Sequence, residues 1–182
     1  MINIALSGAH CSGKTTLLNL MKQDVFFQNF NFIESFSTKI SSKTKHSENT
    51  NLQTQLEMLY HSMETLNSTK TDLNIFDRCI LDVIVYSGLT NDIKLENVFT
   101  DVLTNNYKRF NKIFILDAEH IPIESNGIRS IDEEYRKKIN DVFMKVDLEN
   151  CYHLSSKMTA HKRINEIKDV IINDLKEMRW TN

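Results

Sequence analysis

Residues 8–15 read Gly8-Ala9-His10-Cys11-Ser12-Gly13-Lys14-Thr15. An apolar run (INIAL, residues 2–6) precedes them, and Leu17, Leu18, Leu20 and Met21 follow at helical spacing. The octet fits G-x-x-x-x-G-K-[ST], the phosphate-binding P-loop, in the strand, loop, helix context that the pattern needs. Each residue type suits that chemistry. The glycines let backbone N–H groups turn inward around a polyphosphate, and the helix N-terminus adds positive potential. Lys14 reaches the β and γ phosphates, and Thr15 offers a hydroxyl to Mg2+. Gly8, Ser12, Gly13, Lys14, Thr15 and Thr16 are therefore the expected ATP-holding set, with Thr15 also on the metal. His10 and Cys11 fill unrestricted positions.

Further apolar runs of strand length stand at 30–33, 73–76, 113–116 and 151–154, each separated from the next by enough chain for a crossover helix. This predicts an α/β fold of the P-loop NTPase kind, with a five-stranded parallel sheet and helices on both faces. Leu52, Leu56, Leu59, Met63 and Leu66 give one helical stripe, and Val98, Val102, Tyr107 and Phe110 a less regular one. Ser130-Ile131-Asp132-Glu133 has the form of a capping box, and Tyr135, Ile139, Val142 and Val146 then trace an apolar face, predicting a helix over 131–147. Residues 35–54 are dominated by Ser, Thr, Lys and Asn and are expected to form a mobile loop over the acceptor.

The 182 residues, 41% hydrophobic and 25% charged, suit a single domain spanning 1–182 with a full core. A net charge of -2 leaves no basic excess for a nucleic-acid backbone. No apolar stretch approaches the roughly 20 residues needed to span a bilayer. The three cysteines form no CxxC pair, as expected of a cytoplasmic protein without a zinc framework. Much Lys, Asn and Ile with little Pro and Gly is the usage of AT-rich genomes, including those of viruses of bacteria. A homodimer is compatible with this format.

Neither a DxxG in the right place nor an NKxD or LSGGQ occurs, so the GTPase and ABC-type readings recede. Two carboxylates end apolar strands, Asp77 and Asp117. An ATPase reading takes Asp117 as the metal carboxylate and Glu119 as the water activator, although a glutamate directly after the aspartate is the usual arrangement. A kinase reading takes Asp77-Arg78, with the carboxylate on the Mg2+ shell or the acceptor and the guanidinium on phosphate oxygens. An i,i+4 pair between Arg78 and Asp82 is the bland alternative, compatible with either. Arg129 and Arg136 flank a helix start after a loop containing Pro122 and Gly127, where planar cations could close over a polyphosphate. Glu34, at the end of the second strand, is placed to accept from a sugar hydroxyl or to act as a base, unless it is simply solvated.

The run 77–88, with Asp77-Arg78 and then Tyr86-Ser87-Gly88, resembles the DR segment of thymidylate kinase-like and nucleoside kinase-like proteins. It is most similar to the P-loop family that contains the ribosylnicotinamide kinases of NAD metabolism. Residues 126–136 are similar to that family's lid, with Asn126 where Asp is usual, placing a lid at about 118–136. The resemblance implies a small-molecule kinase using ATP and Mg2+, with Lys14, Glu34, Asp77, Arg78, Arg129 and Arg136 catalytic and Thr15 and Asp77 on the metal. The acceptor is expected to be a nucleotide or nucleoside, with a (deoxy)nucleoside monophosphate placed slightly ahead of ribosylnicotinamide or a similar nucleoside. A regulatory P-loop ATPase without a small-molecule acceptor stays open, as does the choice between Asp77 and Asp117 for the metal. No nucleic-acid or membrane partner is expected.

Overall fold

A computed structural model of the protein describes residues 1–35, 52–88, 93–123 and 132–180. Most of the expected loop at 35–54, the lid turn with Asn126 and Gly127, Arg129 and Ser130 lie outside the described residues.

Five strands form one parallel sheet: β1 (Ile2–Ser7), β2 (Asn31–Ile33), β3 (Leu73–Asp77), β4 (Lys112–Leu116) and β5 (Cys151–Leu154), in the order β2-β3-β1-β4-β5. Among the described residues, six α-helices accompany them: α1 (Lys14–Gln23), α2 (Leu52–Ser68), α3 (Ile80–Ser87), α4 (Ile93–Asn106), α5 (Glu133–Met144) and α6 (Ala160–Trp180). All five predicted strands are present within a residue of their expected bounds. Apolar side chains on both sides of each inner strand make a parallel sheet the stable solution, because helices must then cover two faces.

The period of two sorts each strand's residues between the faces. Ile4, Leu6, Phe114 and Leu116 pack with Leu17 and Met21 of α1 and with Ile164, Ile167 and Ile171 of α6. Ala5, Ile113 and Ile115 pack on the other face with Leu66 of α2, Leu81 and Val85 of α3, and Ile139 and Phe143 of α5.

Several helical expectations shift by one residue. On α2 the core residue is Leu66, whereas Leu56 is exposed and Thr54 and Gln55 are buried, so residues 52–54 belong to the helix and not to the expected loop. On α4 Phe99 is buried and Val98 exposed, and on α5 Phe143 takes the core place expected of Val142. The α5 cap is Asp132, not Ser130: its carboxylate accepts the Tyr135 N–H at 3.0 Å, and Glu133 and Glu134 favour the positive end of the helix. That helix ends at Met144, short of the predicted 147, in i→i+3 turns at Lys145 and Val146.

The sheet order positions the site. After β1 the chain crosses outward to β2, and after β3 it crosses the opposite way to β4, so the crevice between the C-terminal ends of β1 and β3 is the switch point where ligands of open parallel sheets bind. The register pairs Leu6 with Asp77, which sets the loop after β1 beside Arg78.

Candidate active site

The loop from Gly8 to Gly13 is shaped by its own backbone. Gly8 has φ +141°, and a Cβ there would lie 2.6 Å from the Leu116 carbonyl oxygen, so the loop passes β4 at a distance only glycine tolerates. Cys11 and Gly13 are left-handed, at φ 55° and 87°. Gly13 is the N-cap of α1 and brings no side-chain cap, which leaves the first N–H groups of the helix to an anion. Lys14 is buried, and its Nζ donates to Gly8 O at 2.7 Å, Ala9 O at 2.6 Å and Ser12 Oγ at 3.0 Å. The ammonium thus lies inside the loop, where phosphate oxygens would replace the loop's own oxygens. Thr15 and Thr16 are exposed at the mouth of the same helix.

Beside the loop, Arg78 sits in the left-handed region at φ 73°, a costly conformation for an arginine and one concentrated at functional sites. Its N–H donates to Leu6 O of β1 at 3.0 Å, and its Nη1 donates to Asp82 Oδ1 at 2.9 Å. Asp82 is nearly fully buried and serves several donors at once. Its Oδ2 accepts from Ser7 Oγ at 2.7 Å and from Cys79 N at 3.0 Å, the latter completing the capping box of α3, while the Gly8 amide lies 3.4 Å from Oδ1. Tyr86 completes the contact from the other side: its hydroxyl accepts the His10 N–H at 2.9 Å, and its ring carries the Arg78 guanidinium at 5.7 Å. Burial works against the arginine's charge, but Tyr86, Asp82 and Asp77 hold its pKa above the ordinary value. Burial and Asp82 push the Cys79 thiol up to about 12, which disfavours its thiolate.

The residues named from sequence do not all converge. Ser12, Lys14 and Thr15 follow β1, and Asp77 and Arg78 stand at the end of β3, the two adjacent strands that border the switch point. Glu34 is exposed at the sheet edge and pairs at 3.8 Å with Lys22 in the last turn of α1, the end away from Lys14. Arg136 donates from Nη1 to Ile121 O at 2.6 Å, which ties the start of α5 to the loop after β4. Tyr135, beside it, stacks on His10 with ring centroids 6.0 Å apart, so the first turn of α5 rests on the phosphate loop.

Asp117 is a structural joint. Oδ1 accepts from Glu119 N at 2.9 Å and Asn140 Nδ2 at 3.0 Å, and Oδ2 accepts from Ser156 N at 3.1 Å and from the Ser156 hydroxyl. Burial acts to raise its pKa, yet the donors from Ser156, Glu119 and Asn140 prevail and hold it at about 2. Glu119 and His120 lie close enough to form a ligand triad with Asp117. With two hydrogen bonds already on each Asp117 oxygen, that carboxylate has little left for a metal. Thr15 in the first turn of α1 and Asp77 at the C-terminal end of β3 carry a hydroxyl and a carboxylate, hard oxygen donors of the kind Mg2+ takes.

Sequence reading missed Asp82, except as a partner of Arg78, and missed Tyr86 as a contact of the loop. It missed Arg163 entirely. The DR segment held the signal for the first two, which follow Arg78 at one and two helical turns on the same side of α3. Arg163 carried none.

A family model described as AAA domain matches residues 3–155. No curated protein matches the chain. Among solved structures, the chain is similar to a deoxyadenosine kinase from M. mycoides with bound dATP, at 17% identity and a TM-score of 0.61 over 92% of this chain and 98% of that one. It is similar to a thymidylate kinase from Ehrlichia chaffeensis at 18% identity and TM-score 0.67, over 93% of this chain and 98% of that one. The NadR protein in complex with NR matches at 17% identity and TM-score 0.66, over 91% of this chain but 51% of that one. At such identities the likeness is one of fold.

Proposed function

Because the chain belongs to the AAA domain family, in a match that takes in the whole phosphate loop, we propose a function built on that loop. The protein is a kinase that transfers the γ-phosphoryl group of ATP to a small nucleotide or nucleoside. The observation that carries this reading is that the phosphate loop and Arg78 share one buried carboxylate, Asp82, which places a guanidinium beside the loop at the switch point. A nucleotide switch needs the loop alone, whereas an arginine fixed at the neighbouring strand end suits transfer to a second ligand lying over β3.

In this reading the N–H groups of the loop and Lys14 hold the donor phosphates. Thr15 and Asp77 would hold Mg2+, which supplies charge neutralisation of the phosphates when bound. Arg78 stabilises the transferring group, and Arg129 and Arg136 assist from the lid. The acceptor placed first is a nucleoside monophosphate, whose phosphate would engage Arg78. A nucleoside acceptor such as ribosylnicotinamide is the second reading, favoured by the pairing of Arg78 with Asp82 and by Asp77 as the carboxylate beside it. Glu34, turned toward Lys22, is the weaker base for it.

The test is ADP release from ATP and Mg2+ with a panel of nucleosides and nucleoside monophosphates. Acceptor-dependent ADP is the expected result, and the acceptor that gives it separates the two readings. Equal release in every well would leave an ATPase.

A further inference from the structure

Arg163, in the first turn of α6, is 2% exposed. Its guanidinium donates in three directions: Nη1 to Ser12 O at 2.9 Å, Nη2 to Asp117 O at 3.0 Å, and Nε to Ser155 O at 3.0 Å. These carbonyls belong to the loops that follow β1, β4 and β5, three neighbouring strands of the sheet. One side chain therefore fixes three adjacent loops at the ligand-binding edge, all through backbone atoms.

The bond to Ser12 has a geometric consequence. In a trans peptide the C=O and the following N–H point to opposite sides. With the Ser12 carbonyl turned back onto Arg163, the Gly13 N–H is turned the other way, into the phosphate loop. Gly13 lies directly against this cation, since a Cβ on it would be 3.6 Å from Nη1. The three acceptors are neutral carbonyls, and the guanidinium's anionic neighbour is the Asp117 carboxylate, which favours its charged form against burial. Lysine would keep the charge but has one compact head, which cannot serve three divergent carbonyls as a planar fork does.

We propose that Arg163 is a positioning residue of the donor site, which orients the Ser12–Gly13 peptide so that its N–H meets the donor's β-phosphate. This rests on the reading of the loop as an ATP site. The residue touches no ligand, so its effect should follow the number of phosphates and not the nucleobase.

Binding of adenosine, AMP, ADP and pyrophosphate is measured by calorimetry for the wild type, Arg163→Lys and Arg163→Met, the last retaining bulk without charge. The expected result is a loss of about ten- to a hundredfold for ADP and pyrophosphate, the scale of a lost hydrogen bond to a charged group. Adenosine should bind as before. Equal weakening of adenosine and ADP, or no weakening of either, would overturn the assignment. Should both variants fail to fold, the Gly13 amide signal of the wild type decides by NMR. It should move as pyrophosphate is added, and a signal that stays in place while pyrophosphate binds would overturn the assignment. A wild type that binds pyrophosphate with this Arg163 dependence and phosphorylates no acceptor supports the assignment and removes only the kinase reading.

Discussion

Arg78 and Asp82 form a nearly buried ion pair at 2.9 Å, with side chains 18% and 4% exposed, and the same carboxylate accepts the Ser7 hydroxyl. The pair that could have been a surface i,i+4 contact is thus the joint between the phosphate loop and the strand end beside it. Removing one partner strands the other's charge. Asp82→Ala should cost about 3 kcal/mol or more of unfolding free energy, the scale for a broken buried pair. Asp82→Asn, which keeps part of the hydrogen bonding, should cost less. Urea denaturation of the two variants checks the ranking, and equal small losses would show the pair to be a solvated one.

Arg78→Lys keeps the charge and loses the fork. If the guanidinium acts mainly on the transferring group, turnover should fall far more than ATP affinity. Steady-state kinetics with a separate ATP-binding measurement distinguish this from a ground-state contact, which would lower affinity and leave turnover unchanged.

Lys14→Ala should lower turnover by about two orders of magnitude or more while the circular dichroism spectrum stays native. The ammonium's partners are oxygens of the phosphate loop and not of the sheet or its apolar core, so the fold should stand without it. Lys14→Arg should not restore activity, since a planar fork does not fit a space closed around a point charge. Near wild-type turnover in either variant would remove Lys14 from its role.

The sheet could be read from the sequence because parallel strands buried on both faces appear as apolar runs, and the octet at Gly8 identified the run that leads into the site. Helix faces were harder to read. Leu56, Val98 and Val142 fit the period as well as their neighbours do, and only packing selects Phe99 and Phe143 instead. Arg163 was one of six arginines and belonged to no motif. Its partners are main-chain carbonyls from three loops distant in sequence, and backbone acceptors leave no trace in residue identity. Glu34 stands at the strand end where it was expected, but that the strand is at the sheet edge and that Lys22 lies within reach are facts of topology and packing that its own sequence neighbourhood does not carry.

Asp117 makes a pH prediction. Its carboxyl is held at about 2, below the ordinary 3.8, so folding favours its charged form. That stability is complete above the ordinary value and is lost as pH falls from near 3.8 through about 2. Asp24, lowered by Lys168, adds to the loss in the same direction. Denaturant midpoints should therefore fall over this window in the wild type and fall less in Asp117→Asn. A variant with an unchanged acid profile would show that the Asp117 joint contributes nothing to acid sensitivity.

Phosphoryl transfer is tested by following the phosphorus itself. ATP labelled in the γ-phosphoryl group is incubated with the protein, Mg2+ and the acceptor panel, and the products are separated. A kinase of this design leaves label in one phosphorylated nucleoside or nucleotide, at a rate that depends on its acceptor. Label found only in inorganic phosphate, at the same rate with every acceptor and with none, would rule out transfer to a small molecule.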